Sequence, residues 1–280
     1  MSVKFVIDSA SDVLPKEAEA LGISHLPLKV IFGQQEYADG TELSHEAFFE
    51  MLEQSQQLPT TCQVPPADFE HAYATLVAQG HEVVVITISS QLSGTYQSAM
   101  IAAEEFEGKV FVVDSLSAAI GERILLMRGL ELASRGMDAK EIAQTLMEER
   151  NRIRLVAVLD TLEYLKKGGR IGAAAAFAGG LLAIKPAIKI CDGKVVMAGT
   201  ARGHKKANAL LKELIEGYGG VNFEMPVALT CAGNDRLLQG FIKDCSSLWN
   251  GREELPIFSL GCTIGTHVGP GAYGIAFFEK

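Results

Sequence analysis

The sequence predicts an α/β protein of two α/β domains, the first a doubly wound parallel sheet and the second a mixed sheet. Three observations carry this. Apolar, β-rich runs without polar alternation recur through the first half, separated by segments of helical spacing, as expected for strands buried on both faces. In the second half, Asp192-Gly193 sits between two β-rich runs and suits a two-residue type I′ hairpin, hence an antiparallel pair. At 280 residues the chain is also longer than one core commonly organises.

In order, Val3–Ile7 reads as the first strand, followed by D-S-A-S-D and a helix over Pro15–Leu21. His25–Phe32 reads as a second strand, and Ser44 as the N-cap of E-A-F-F-E-M-L-E. The stretch L-P-T-T-C-Q-V-P-P is extended, because each proline pushes its predecessor out of the helical region. A helix from Pro66 to Gln79 tolerates proline in its first turn and stops at Gly80. Strand Val83–Ile88, helix Thr95–Glu105, strand Val110–Asp114 and helices through Asn151 follow, with strand Leu155–Leu159 closing the parallel series. After the hairpin come helix Lys205–Tyr218, strand Val227–Cys231, helix Asp235–Trp249, strand Pro256–Leu260 and a final strand Gly274–Phe278. The expected division is residues 1–160 with strand ends that could hold a carboxylate, and residues 161–280 with the mixed sheet and the His267 loop.

Composition narrows the function classes. Hydrophobic residues make up 48% and charged residues 21%, ordinary for a globular chain, and the formal net charge of −9 argues against a nucleic-acid partner. The chain enters a strand-like run at once, so no signal peptide is expected. Its longest uncharged apolar run, Ile171–Ile184, has fourteen residues, too few to cross a bilayer, so no integral membrane segment is expected. Five scattered cysteines without a C-x-x-C pair suit a reducing, cytoplasmic setting rather than a disulfide framework or a zinc site. No cofactor is expected: Gly269, Gly271 and Gly274 match G-x-G-x-x-G, but only six residues follow and they read as a strand, not a helix.

Three strand ends of the first half carry similar cargo: D-S-A-S-D, S-S-Q-L-S-G-T and D-S-L-S. Such turns before helices favour negative charge, although serine and aspartate also cap helices everywhere. Ser93 in L-S-G-T could be a nucleophile, an anion-gripping hydroxyl or a cap. A nucleophile elbow would have glycine where Gln91 stands and would need a histidine oriented by an acid. His267, flanked by glycines, is the candidate histidine, with no acidic residue near it in sequence. Basic islands K-K-G-G-R-I-G and T-A-R-G-H-K-K, holding Arg170 and Arg202, read either as solvated helix ends or as a phosphate or docking surface. The Ala- and Gly-rich run Ile171–Ile184 either packs helices closely or leaves room for an apolar ligand.

The opening V-I-D-S-A-S-D, then P-T-T-C-Q, S-S-Q-L-S-G-T-Y-Q-S-A, V-V-D-S, L-K-K-G-G-R-I, I-K-P and H-V-G-P-G-A together resemble the DegV family of bacterial fatty acid-binding proteins. The resemblance implies a long-chain fatty acid held between two domains, presented to a separate fatty acid kinase and carried as acyl-phosphate toward an acyltransferase and phospholipid synthesis. It implies that Thr61, Ser93 and His267 hold the carboxylate with backbone amides of Gly94 and Thr95, and that Arg170 and Arg202 face the kinase or the acyl-phosphate. Where the family usually has serine this chain has Cys62, a poorer donor, which leaves Cys62 a possible ligand contact only. The alternatives are an esterase-like hydrolase using Ser93 and His267, or a binder of another small anion.

Overall fold

The computed structural model describes residues 2–172 and 184–280, so all of the small-residue run but its ends lies outside the described residues. The first sheet is parallel and four-stranded, built from β1 (Val3–Asp8), β2 (Ser24–Leu26), β6 (Glu82–Thr87) and β7 (Val110–Asp114) in the order β2-β1-β6-β7. Parallel neighbours need crossovers, and α1 (Pro15–Leu21), α3 (Pro66–Ala78) and α4 (Thr95–Ala103) lie in the segments between them. Pro15 opens α1 where a missing N–H costs nothing, and Gly22, at φ 67°, ends it. Ser44 caps α2 (His45–Gln54) by accepting the Ala47 amide.

The second sheet is mixed and six-stranded: β8 (Ile153–Val158), β9 (Ile184–Cys191), β10 (Lys194–Arg202), β11 (Val227–Cys231), β12 (Ile257–Ser259) and β13 (Tyr273–Phe278), in the order β10-β9-β8-β13-β11-β12. Asp192 and Gly193, at φ 48° and 76°, make the expected left-handed turn between β9 and β10. Its helices are α8 (His204–Gly217) and α9 (Arg236–Asp244), with a 3-10 turn at Ser246–Trp249 where one longer helix was expected.

Three further expectations need correction. The expected strand over 25–32 is two strands in different sheets, split at Leu26-Pro27-Leu28, where the Leu28 amide turns to the Ser9 hydroxyl. Its second part, β3 (Lys29–Phe32), pairs with β4 (Gln35–Ala38) and β5 (Thr60–Cys62) in a small antiparallel sheet that no sequence pattern announced. The strand expected to close the parallel series is β8, which pairs antiparallel with β13 and β9. Ile153 and Leu155 face one core and Val156 and Val158 another, so its apolar run looks the same whichever sheet it joins. The six-stranded sheet therefore begins at Ile153, ahead of the expected boundary at 160.

Between the sheets runs α5 (Ile120–Ser134), followed by α6 (Ala139–Glu149). Ile120, Ile124, Leu125 and Leu126 are essentially inaccessible, each contributing about 1.5–3 kcal/mol of burial. The surrounding core joins Phe5 and Ile7 of the first sheet to Leu155, Ile188 and Phe278 of the second. Among the described residues no helix is long and apolar enough to cross a membrane.

Candidate functional site

The turn after β6 is tied down at every step. Ser89 donates its amide to the Ser117 carbonyl and its hydroxyl to the Gly193 carbonyl at 2.8 Å, binding the turn to the hairpin of the other sheet. The Ser90 amide donates to Asp114 at 3.1 Å, and the Leu92 and Ser93 amides return to the Ser89 carbonyl. Gly94 is the N-cap of α4 and approaches Gln63 so closely that a Cβ there would lie 2.1 Å from Gln63 Oε1. The Ser93 hydroxyl is 2.9 Å from the Thr95 hydroxyl and accepts the Thr95 amide at 3.2 Å. Thr95 is itself fully buried, so its amide serves the turn.

Facing this turn, Val30 of β3 pairs with Thr61 of β5, and the Thr61 hydroxyl lies 2.9 Å from His267 Nε2. His267 was expected on a glycine-rich loop. It stands instead on the last turn of a helix, α10 (Cys262–Val268). Buried carboxylates hold the start of that helix: the Gly261 amide donates to Asp12, and the Cys262 and Thr263 amides to the two oxygens of Asp39. Burial pushes the Asp12 carboxyl well above the usual carboxylate range, so it is Asp39 that serves as counter-charge to the helix dipole. Gly168, after the short helix α7 (Glu163–Lys167), presses on the imidazole; a Cβ would sit 2.2 Å from Nδ1.

Burial, with help from the Arg170 guanidinium, pushes the His267 imidazole down to about 4, so at neutral pH one ring nitrogen donates and the other accepts. The unfolded residue protonates near its ordinary 6.5, so acid favours unfolding. Stability held by this residue should be complete above pH 6.5 and fall as pH drops toward 4. An NMR titration of the unliganded chain should find this imidazole neutral at pH 5; a midpoint near 6.5 would contradict the burial described.

Arg170 bridges the two walls, its Nε donating to the Leu92 carbonyl at 3.2 Å and a terminal nitrogen to the Gly168 carbonyl at 2.8 Å. Thr61, Cys62, Ser93, Gly94, Arg170 and His267 all line one cavity of about 460 Å³, with Gln63 beside them. Beyond this polar end the wall is Ala118, just ahead of α5, Ile120 of α5, and Leu155, Ala157, Ile188 and Ile190 of the second sheet. Sequence reasoning missed Thr230 and Thr263 on this wall, whose buried hydroxyls have no hydrogen-bond partner among the described residues. Arg202 stands apart, exposed at the end of β10 and off the cavity wall.

The three similar strand ends thus divide their work. Asp8, fully buried, accepts the Ala10 and Ile88 amides, and burial pushes its carboxyl up to about 7 despite them. Asp114 accepts the Ser90 and Leu116 amides. These two turns brace the third, and only S-S-Q-L-S-G reaches the polar end of the cavity. The geometry also disfavours a nucleophile: Ser93 pairs with Thr95, His267 Nε2 with Thr61, and His267 Nδ1 meets no carboxylate among the described residues. No metal-ligand cluster occurs among the described residues.

Two sheets sharing one core, with an apolar cavity between them that ends in hydroxyl and imidazole groups, define a class of α/β protein built round an amphipathic cavity. The chain belongs to the DegV family, whose model matches residues 2–280. It is 38% identical to a DegV domain-containing protein of Deinococcus radiodurans over 99% of this chain and 98% of that one. It is similar in structure to a DegV family protein from Thermus thermophilus described for its fatty acid binding, with TM-score 0.90, 32% identity and complete coverage of both chains. Bacillus subtilis DegV, described as a fatty acid binding protein, superposes with TM-score 0.83 at 29% identity, again over both whole chains.

Proposed function

We propose that this protein binds a long-chain fatty acid without transforming it. It then presents the carboxylate to a separate fatty acid kinase and carries the acyl-phosphate toward phospholipid synthesis, handing it to an acyltransferase. The observation that carries the reading is the amphipathic cavity: an apolar wall matched to an acyl tail, ending in Thr61, Ser93, Gly94 and His267 as donors for a carboxylate. The fatty acid binding described for the Thermus and Bacillus relatives supports it. Residues 1–160 then supply the Ser93 turn and Thr61, and residues 161–280 supply His267. A reducing cytoplasm suits the five free cysteines.

In this reading the neutral imidazole donates to the carboxylate, and Thr61 and Ser93 turn their hydroxyls toward it. The Gly94 amide adds a donor at the start of α4, where the helix dipole favours negative charge. The Thr95 amide acts by fixing Ser93. Cys62 stands at the same end as a weak donor. Arg170, at the polar end, and Arg202, on the exposed rim of β10, are the cations assigned to the kinase and the acyl-phosphate.

The direct experiment is calorimetric titration with a long-chain fatty acid and with its methyl ester. The acid should bind and the ester much more weakly; equal affinities would remove the carboxylate site. Ser93→Ala and His267→Ala should each weaken acid binding by about 1–3 kcal/mol, the range for one buried hydrogen bond to a charged group. Arg202→Ala should leave acid affinity unchanged and slow phosphorylation by the kinase; unaltered kinetics would free Arg202 from that role.

A further inference from the structure

A second cavity, of about 330 Å³, opens beside the first and, among the described residues, shares only Ile190 with it. Its wall brings together Arg150 after α6, Arg154 of β8, Lys189 of β9, Tyr218 and Asp192 of the hairpin. In a chain of net charge −9 this is a concentration of positive charge. Arg154 is matched by Glu279 at 2.7 Å and lies 5.1 Å from the Tyr218 ring. Lys189 Nζ is 3.2 Å from the Tyr218 hydroxyl, and neither it nor Arg150 has a carboxylate within 4.0 Å among the described residues. Arg150 donates one terminal nitrogen to the Asp114 carbonyl, while its Nε–H is buried with no acceptor among the described residues. Set against Asp192 and Glu279, three cations leave this cavity with a net positive charge.

We propose that this cavity is a second anion site, taking a phosphate group. Arg150 and Lys189 meet in a partly buried hollow beside Arg154, whose nitrogens are already held by Glu279 and by the Asn151 and Ile153 carbonyls. A guanidinium and an ammonium without carboxylate partners offer a planar group and a point charge that suit phosphate better than a single carboxylate. The site is distinct from the fatty-acid end, and the proposal does not depend on what the larger cavity holds. It is nevertheless wired to that end. Arg150 holds the Asp114 carbonyl, the Asp114 carboxylate holds the Ser90 and Leu116 amides, and the hairpin neighbour of Asp192, Gly193, receives the Ser89 hydroxyl.

The test is an NMR titration of the full nitrogen-15-labelled chain with inorganic phosphate and then pyrophosphate, read at the arginine Nε–H signals. Saturable shifts at Arg150 and Arg154 are expected. Lys189→Met should weaken binding by about tenfold or more, one charge-assisted bond. Lys243→Met, a cation exposed on α9, should not change it. Arg150→Gln should abolish the Arg154 shift, with its thermal midpoint recorded to separate a lost site from a lost fold. Equal loss in Lys189→Met and Lys243→Met, or non-saturating shifts together with no recruitment to vesicles containing phosphatidic acid, would overturn the proposal. Co-sedimentation with vesicles containing phosphatidic acid separates the sources: recruitment lost in Lys189→Met, without binding of free phosphate, assigns the phosphate to a lipid headgroup.

Discussion

Replacing Asp39 by alanine should cost the folded chain about 2–6 kcal/mol, the sum for two buried N–H groups left without an acceptor. The residue is completely buried and accepts the Ser9 hydroxyl and the Cys262 and Thr263 amides at 3.0–3.1 Å. Without it, two N–H groups at the start of α10 are left in a dry place, each worth about 1–3 kcal/mol, and the helix dipole loses its counter-charge. Domains are stable by only about 5–15 kcal/mol in all, so much of the margin goes. Denaturant unfolding measures this. Asp39→Asn should fall between, keeping one acceptor oxygen. The effect should also reach His267, since α10 carries it toward Thr61. A cost under about 1 kcal/mol, the worth of one ordinary hydrogen bond, would mean that Asp39 does not hold the helix.

Ala157→Phe should abolish binding of long acyl chains while leaving the fold intact. Ala157 is on β8, opposite Gly274 of β13, and both line the apolar part of the cavity. A phenyl ring there occupies space the tail needs, and each methylene left unburied costs about 0.8 kcal/mol. Displacing about four methylenes loses about 3 kcal/mol, or a little over a hundredfold. Short acids, which need only the polar end, should lose far less. The added ring fills a cavity, so the empty protein should be at least as stable as the wild type. Titration with acids of graded length measures the effect; a loss independent of chain length would place the tail elsewhere. Gly274→Val is the less suitable block, because its Cβ would meet the Val156 carbonyl at 2.6 Å and force the backbone apart.

The parts of this fold legible in the sequence are those that local chemistry decides. Pro15 and Gly22 delimit α1, Ser44 caps α2, and Asp192-Gly193 has the left-handed angles its turn needs. The polar end of the cavity was legible for the same reason, since the Ser93 turn is a contiguous motif. What was not legible is settled by partners far along the chain. Cys262–Val268 contains β-branched residues and a central glycine, poor helix formers, so it read as a loop. It is helical because Asp39 and Asp12, more than 220 residues earlier, satisfy its first amides. The same distance hides the hydrogen bond between Thr61 and His267, 206 residues apart; the family resemblance implied that both hold one carboxylate, and no spacing could show that they meet. β8 was assigned to the wrong sheet because burial on both faces erases the pattern that distinguishes parallel from antiparallel neighbours.

Whether the cavity between the sheets holds one fatty acid is decided by native mass spectrometry of the freshly purified chain. A species heavier than the polypeptide by one fatty acid is expected, or its appearance on adding the acid, and its loss in Ala157→Phe. Only the bare polypeptide mass, unchanged after a long-chain acid is added in excess, would contradict fatty acid binding.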